Sequence, residues 1–171
     1  MQLPDAEDLL HVLVEQMRPH VDESTALVGI HTGGAWLAEH LHAALRLRQP
    51  LGIIDPSFYR DDYARRGLHA RPRPSNIPFE VKGRPIVIVD DVLYTGRTIR
   101  AALNELFDYG RPARVDLAVL VDRGGRELPI CARFCARDLP LDPGRNLQLE
   151  REESGRLTLR LIENRSGDPT P

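Results

Sequence analysis

Short apolar runs alternate with polar, glycine-bearing turns along most of the chain. Three runs, at 26–30, 86–89 and 115–121, are almost entirely apolar and rich in β-branched or aliphatic residues. Such runs are typical of strands buried on both faces, as in a parallel sheet covered by helices. If right-handed crossovers link these strands, the polar turns that follow them lie at one edge of the sheet. The pattern therefore predicts an α/β fold with a mostly parallel central sheet flanked by helices.

Helical periodicity and turn signals place the other elements. Helices are expected at 5–17, at about 35–47 and at 99–107, and a short strand is expected at 51–54. The tail at 147–161 alternates apolar and polar residues around a Ser-Gly turn, which predicts an antiparallel hairpin with one solvated face. We interpret this hairpin as scaffold or as an interface.

Length, composition and charge bound the class of protein. A chain of 171 residues with 42% apolar content normally forms one domain, so we expect a single domain over 1–165 and a frayed tail over 166–171. The net charge of −2 gives no global attraction to nucleic acid. The acidic N-terminus does not resemble a targeting peptide, and no apolar run is long enough to span a bilayer. We expect a cytoplasmic protein with no membrane partner.

The most informative segment joins an apolar strand, two adjacent carboxylates and a small-residue turn that opens a helix. Asp90 and Asp91 follow the strand directly, and ionised carboxylates are costly to bury. We therefore expect burial to end at these residues, at the edge where open α/β sheets bind ligands. The turn that follows comprises Tyr94, Thr95, Gly96, Arg97 and Thr98. Its hydroxyls and the free N–H groups of the next helix favour a phosphate, so the segment predicts a phosphorylated polyol with a divalent cation between ligand and acids.

A second small-residue turn follows the first strand. It comprises His31, Thr32, Gly33 and Gly34. Small residues let backbone N–H groups approach a diphosphate closely, and His31 is the one candidate cation in this turn. Taken alone, an Asp-Asp pair is better explained as ordinary structure with solvated or helix-capping side chains, and a helix-opening glycine turn is weak evidence of a site.

The complete segment 86–98 resembles the phosphoribosyl pyrophosphate (PRPP) signature of type I phosphoribosyltransferases. The resemblance implies the type I fold, with a flexible lid loop over the site. It implies that Asp90 and Asp91 contact the ribose hydroxyls, directly or through Mg²⁺, and stabilise positive charge on the sugar. It also implies that residues 94–98 hold the 5′-phosphate and that the turn at 31–34 is the pyrophosphate loop. Many relatives carry Arg or Lys in that loop, where this chain has His31.

The expected lid is the arginine- and proline-rich segment from about 59 to 78. In type I enzymes such a loop closes over PRPP and excludes water from a reactive sugar cation. Guanidinium groups suit this position because they bind phosphate oxygens bidentately. We take Arg60 as the candidate lid arginine and Tyr59 as a substrate contact. A solvated basic loop is the alternative for any single arginine.

Four segments, at 58–62, 90–98, 110–112 and 117–130, look like the family of bacterial bifunctional pyrimidine operon regulators and uracil phosphoribosyltransferases. That resemblance implies conversion of uracil and PRPP to UMP and pyrophosphate with Mg²⁺, UMP-dependent binding to pyrimidine-operon leader RNA, and a homodimer or higher homo-oligomer. The turn after Val121 is expected to cover the base, with Asp122 and Arg123 as contacts. A surface turn is the alternative for either residue, and no general base is assigned for uracil.

Charge favours the enzyme over the RNA-binding regulator. Residues 1–30 contain Arg18 as their sole formal cation, against six acidic residues, so the face that the family uses for RNA looks repulsive. Arg133, Arg137 and Arg145 offer a basic patch elsewhere. Two alternatives therefore stay open: an RNA-binding attenuator with residual enzyme activity, and a phosphoribosyltransferase for another nucleobase.

Overall fold

The computed structural model describes residues 3–59 and 74–163, which contain seven strands and three α-helices. The strands are β1 (Ala26–Ile30), β2 (Gly52–Ile54), β3 (Pro85–Leu93), β4 (Arg114–Asp122), β5 (Phe134–Asp138), β6 (Arg145–Arg151) and β7 (Leu157–Glu163). The α-helices are α1 (Ala6–Met17), α2 (Gly33–Leu45) and α3 (Arg97–Asp108), and short 3₁₀ turns occupy Arg18–His20 and Pro56–Tyr59. The candidate lid residue Arg60 and the expected frayed tail at 166–171 lie outside the described residues.

Five strands form a parallel sheet in the order β2-β1-β3-β4-β5, and β6 and β7 form a separate antiparallel pair. This arrangement confirms the α/β class, the parallel sheet and the C-terminal hairpin predicted from the sequence. Because all five strands run in one direction, their carboxyl ends meet at one edge of the sheet. The central strand β3 therefore places Asp90 and Asp91 in the middle of that edge.

The apolar runs are continuous because the sheet is covered on both faces. Along β3, Val87 and Val89 pack into the core beneath α1 and α2, whereas Ile86 and Ile88 pack into the core beneath α3. All four side chains are at most 2% exposed. Alternate residues of a strand point to opposite faces, so a strand in this position has no face left for polar side chains.

Two helices begin at residues whose chemistry suits a helix start. Asp5 caps α1 by accepting a hydrogen bond from the Glu7 N–H at 2.8 Å, as residues of this type do at N-caps. Gly96 is the N-cap of α3 and has a φ of 90°, a conformation that favours glycine. The predicted helix bounds agree to within two residues, and α2 begins at Gly33, so the glycine turn is the first turn of that helix.

Two details differ from the sequence-based expectations. Strand β5 was not predicted, because this edge strand has only Phe134 fully buried and ends in exposed polar residues. The expectation that burial ends at the acid pair was wrong. Strand β3 continues to Leu93 beside β4, and Asp90 is 7% exposed. Pairing with β4 and cover from β6 extend the buried region past the carboxylates.

The C-terminal hairpin packs against both the core and α1. Leu147, Leu149 and Leu157 are buried in the core beneath α1 and α2. The Leu157 N–H donates to Glu7 at 2.8 Å, and Arg156 pairs with Asp5 at 2.7 Å. The hairpin is therefore tied to the start of α1. None of the helices in the described ranges is long and apolar enough to cross a membrane.

Helix α3 carries a buried carboxyl beside Ser75, close to where the described chain resumes at residue 74. Glu105 is 8% exposed and accepts a hydrogen bond from the Ser75 hydroxyl. The Asp55 N–H donates to the same hydroxyl at 2.9 Å, so Ser75 links β2 to α3. Burial raises the pKa of Glu105, and the nearby charges of Asp55 and Asp108 add to this effect.

The raised pKa of Glu105 makes its contribution to stability depend on pH. A folded-state pKa above the unfolded one means that the native protein holds the proton more tightly. Stability is therefore lost as pH rises from the ordinary glutamate range through the folded-state pKa. We expect Glu105→Gln to unfold at higher urea concentration than wild type at pH 8, with the difference shrinking towards pH 5. Urea titrations across this range test the sign, and Glu80→Gln is the exposed control.

Candidate active site

The two carboxylates of β3 lie at the centre of the site and are partly withdrawn from water. Asp90 accepts a hydrogen bond from the Asp91 N–H at 3.0 Å. Asp91 accepts one from the Leu149 N–H of β6 at 3.4 Å. Burial raises the pKa of Asp91 above its ordinary value, and the hydrogen bonds from Asp90 and Leu149 offset part of that rise. Two adjacent carboxyls of this kind favour either a shared proton or a nearby cation.

The donor set fits a magnesium ion that is shared with a ligand. Within the described ranges no group of three His, Cys, Asp or Glu side chains converges on one point. A site built from protein ligands alone is therefore not formed there. Mg²⁺ is commonly held by one or two carboxylates, with water and substrate phosphates completing its shell. Asp90 and Asp91 match that pattern.

The first turn of α2 lies directly against the acid pair. A Cβ atom added to Gly33 would overlap the Asp91 carboxylate, and one added to Gly34 would lie 2.9 Å from the Asp90 Cα atom. Any larger residue would push the helix away from β3. The glycines thus bring the free N–H groups of this helix start next to two carboxylates. His31 precedes the turn, lines the adjacent cavity, and forms a cis peptide bond with Thr32.

The loop between β3 and α3 supplies a second helix start. Thr95 is 7% exposed, and its hydroxyl accepts a hydrogen bond from the Arg97 N–H at 3.3 Å. Its carbonyl accepts from the N–H groups of Glu127 and Leu128, at 3.0 and 3.1 Å. The loop is thereby fixed to the 122–130 turn. Backbone donors and hydroxyls at a helix start form a site suited to a phosphate.

A cavity of about 220 Å³ joins these parts. Its walls come from the end of β1, the acid pair and following residues of β3, the loop that opens α3, the 122–130 turn, and β6. The predicted site residues that line it are His31, Asp90, Asp91, Tyr94, Thr95, Gly96, Thr98 and Arg123. A cavity that combines carboxylates with a helix start can hold a molecule bearing both hydroxyl and phosphate groups.

Arg123 is a buried cation in the wall of this cavity. The residue is 2% exposed, and its guanidinium carbon lies 3.9 Å from the centroid of the Tyr94 ring. The guanidinium donates to the Asn146 side-chain oxygen and, at 2.6 Å, to the Arg145 carbonyl. Within the described ranges its Nε atom is buried without a hydrogen-bond partner. Burial lowers the pKa of Arg123.

The 122–130 turn is organised by Arg126, which the sequence reasoning missed. Its guanidinium donates to the Tyr94 carbonyl, to the Asp122 carboxylate and, at 2.9 Å, to the Ile130 carbonyl. Asp122 also accepts from the Gly124 N–H at 2.9 Å. Asp122 is therefore directed to its own turn and does not line the cavity. When a turn contains several polar residues in sequence, the sequence alone does not reveal which of its arginines faces inward.

The other predicted site residues lie beside the cavity or beyond the described side chains. Arg97 pairs with Glu127 at 2.6 Å, on an exposed surface. Thr32, Gly33 and Gly34 form the start of α2 next to the acids without lining the cavity. The Tyr59 side chain and Arg60 fall outside what the structure describes.

The sequence interpretation of the hairpin as scaffold or interface is incomplete. Asn146, Leu147 and Gln148 of β6 line the cavity, and Leu149 bonds to an acid 58 residues earlier in the chain. Alternation along a strand reveals which residues share a face. It does not reveal that such a face meets a ligand site.

Comparison with known sequences agrees with this geometry. Residues 4–149 match the family described as phosphoribosyl transferase domain. Relatives named "Bifunctional protein PyrR" include one from Pseudomonas paraeruginosa, 51% identical over 161 residues, covering 92% of this chain and 90% of the relative. Another, from Ralstonia nicotianae, is 51% identical over 155 residues and covers 88% of each chain.

Solved structures support the same fold. A crystal structure of a hypoxanthine phosphoribosyltransferase from Staphylococcus aureus matches with a TM-score of 0.64 at 19% identity, over 85% of this chain and 79% of that one. A hypoxanthine-guanine phosphoribosyltransferase from Bacillus anthracis matches with a TM-score of 0.64 at 15% identity, over 82% and 84%. At these identities the likeness concerns the fold alone.

The family resemblance drawn from the sequence is thereby confirmed. The match spans most of the chain, and about half of the residues are identical to those of full-length relatives. The chain belongs to the phosphoribosyltransferase family, in the group whose members are called bifunctional protein PyrR.

Proposed function

We propose that the protein is a Mg²⁺-dependent uracil phosphoribosyltransferase that converts uracil and PRPP to UMP and pyrophosphate. The observation that carries the proposal is the meeting of a carboxylate pair with the start of α3 around one cavity, with the start of α2 packed directly against the acids. A sugar with phosphate at one position and diphosphate at another needs this combination of groups. The name shared by the relatives, which describes them as bifunctional, supports an activity beside a regulatory role.

The sugar and its phosphates divide among three parts of the site. Asp90 and Asp91 bind the ribose hydroxyls and would hold Mg²⁺. The N–H groups and hydroxyls from Thr95 to Thr98 bind the 5′-phosphate at the start of α3. The turn from His31 to Gly34 binds the diphosphate at the start of α2. When bound, Mg²⁺ supplies neutralising charge to the diphosphate.

Electrostatics and positioning dominate the chemistry at this site. Departure of pyrophosphate leaves positive charge on the sugar ring, and the β3 carboxylates lie where they favour that charge. Gly33 and Gly34 hold the diphosphate turn against the same carboxylates, so the leaving group and the sugar are bound side by side. Arg60 is proposed as the lid arginine that excludes water from the reacting sugar.

Uracil is placed at the β6 side of the cavity. Asn146, Leu147 and Gln148 form this wall, and Arg123 and Tyr94 form the neighbouring one. The apolar edge of a pyrimidine suits Leu147, and the amide side chains offer donors and acceptors to its carbonyl and N–H groups. A pocket of this composition suits a small heterocycle with polar edges.

A second candidate function is UMP-dependent binding to pyrimidine-operon leader RNA by a homo-oligomer. The relatives' description as bifunctional favours it. The charges do not favour it. Arg133 lies 2.9 Å and Arg114 3.2 Å from the Asp116 carboxylate, which neutralises part of the basic patch to which Arg133 belongs. The enzyme is therefore the stronger proposal.

The acid pair provides the first test of the enzyme. We expect wild-type protein with PRPP and Mg²⁺ to release pyrophosphate with uracil and not with hypoxanthine, guanine, xanthine, adenine or orotate. Asp91→Asn should lower kcat/KM by about 100-fold to 1,000-fold, the usual cost of removing one charge-stabilising group. Asp8→Asn, at an exposed position on α1, is the matched control and should keep full activity. Pyrophosphate release with a purine would show the base assignment to be wrong. Full turnover by Asp91→Asn would show that Asp91 does not stabilise charge in the reaction.

RNA binding is tested separately from catalysis. We expect filter binding at physiological salt to show weak association with pyrimidine-operon leader RNA, little changed by UMP, because residues 1–30 carry six acidic residues against Arg18, and Asp116 pairs with Arg114 and Arg133. A scrambled RNA of equal length is the control. Tight binding that UMP strengthens and that discriminates against the scrambled RNA would reverse the ranking of the two functions.

A further inference from the structure

Arg123 differs from the other arginines near the site in its lack of a carboxylate partner. Arg97 pairs with Glu127, and Arg126 pairs with Asp122. Throughout the described ranges, no Asp or Glu oxygen lies within ion-pair distance of Arg123, although the residue is 2% exposed. Burying a charged group costs free energy unless an opposite charge compensates it. The acceptors that Arg123 does have, the Asn146 amide and the Arg145 carbonyl, are neutral.

The groups around Arg123 leave its positive charge directed at the cavity. Tyr94 faces it from the loop that opens α3, and β6 contributes the neutral groups named above. The segment after β5 contributes Leu141, whose N–H donates to the Arg123 carbonyl at 3.3 Å. In its own turn, Asp122 is paired with Arg126.

The remaining charged and titratable groups lie elsewhere around the cavity. They are His31, Asp90 and Asp91. The proposed function assigns the two acids to the sugar and Mg²⁺, and His31 to the diphosphate. At the wall that faces the base, no described residue therefore supplies a counter-charge to the cation.

We propose that Arg123 favours the acceptor base in its deprotonated form, so that the base attacks the sugar as an anion without a protein general base. This inference rests on the proposed function and names the class of acceptor: a heterocycle with an acidic ring N–H beside a carbonyl group. In such a ring the negative charge spreads onto carbonyl oxygens. A buried cation near those oxygens lowers the free energy of the anion relative to the neutral ring.

The step balances without a further reactant. The ring nitrogen loses its proton to water, and its electron pair forms the bond to C1 of the ribose. The bond between C1 and the diphosphate oxygen breaks, and its electron pair leaves with pyrophosphate. Nothing is oxidised or reduced.

The sharpest variant is Asn146→Asp, which changes the charge facing Arg123 with little change in shape. Asn146 already accepts a hydrogen bond from the guanidinium, so an aspartate there forms an ion pair in the same place. In the wild type, log kcat for uracil, which reports groups in the bound complex, should rise with pH and level off below the pKa of free uracil. We expect Asn146→Asp to raise the pH at which this profile levels off by about one to two units, the effect of cancelling one nearby charge.

Two substitutions at Arg123 complete the design. Arg123→Gln removes the charge and should also raise the pH at which the profile levels off. Arg123→Lys keeps the charge and should largely retain the wild-type profile. With 5-fluorouracil, a more acidic base, the loss at neutral pH should be clearly smaller than with uracil. Arg160→Gln, which removes an exposed arginine on β7, is the control for loss of a positive charge. Circular dichroism and thermal unfolding establish that each variant is folded.

The outcomes separate this inference from the function beneath it. If wild type forms no UMP from uracil and PRPP, the proposed function itself fails. If wild type forms UMP but Asn146→Asp and Arg123→Gln lower kcat equally at every pH and for both bases, Arg123 has a structural role and the inference fails. If Tyr94→Phe abolishes the rise of the rate with pH, the tyrosine is the group that removes the proton, and the inference also fails.

Discussion

Two carboxylates on the central strand of a parallel sheet must be kept partly out of water, and the surrounding structure serves this requirement. Their strand is buried on both faces as far as Asp90, and β4 continues beside it through Leu93. The first turn of α2 approaches so closely that residues 33 and 34 are glycine. On another side, the Leu149 N–H of β6 donates to Asp91. The result is an acid pair that is accessible to a ligand yet poorly solvated, where electrostatic interactions are stronger than in bulk water.

The site combines rigid elements with turns that are fixed by side chains. Asp90, Asp91 and the starts of α2 and α3 are positioned by the sheet and its covering helices. The cavity wall formed by the 122–130 turn and β6 depends instead on Arg126, which connects Tyr94, Asp122 and Ile130, and on Arg123, which connects that turn to β6. Two arginines three residues apart thus have different tasks, one holding the turn together and the other facing the cavity.

Much of the fold follows from local patterns. The runs at 26–30, 86–89 and 115–121 became parallel strands because burial on both faces requires apolar residues at every position. The hairpin followed from alternation, and the family followed from the whole motif at 86–98. Edge strand β5 escaped detection because one of its faces remains solvated. The expectation that burial ends at the acids was wrong. It considered the cost of desolvating the carboxylates without the hydrogen bonds and the cover that β6 supplies.

The candidate site could be predicted where it depends on one continuous segment. Asp90, Asp91 and the 94–98 loop are neighbours in sequence, and the structure gathers most of them around the cavity. Asn146 and Gln148 reach it by a tertiary contact, which no short motif encodes. Asp122 and Arg123 are adjacent in sequence, and their opposite orientations are decided by Arg126 and Asn146, which lie further along the chain.

The hairpin of β6 and β7 lines the cavity and also contacts the start of α1, and this has a consequence for the order in which the molecule is assembled during translation. The first helix emerges early, but its partners Arg156 and Leu157 are among the last described residues to be made. Before β6 is made, Arg123 lacks its acceptors and Asp91 lacks its donor. A nascent chain can therefore build its parallel sheet on the ribosome and still have no finished cavity, so the capacity to bind substrate arises only after the hairpin has been made and packed against α1.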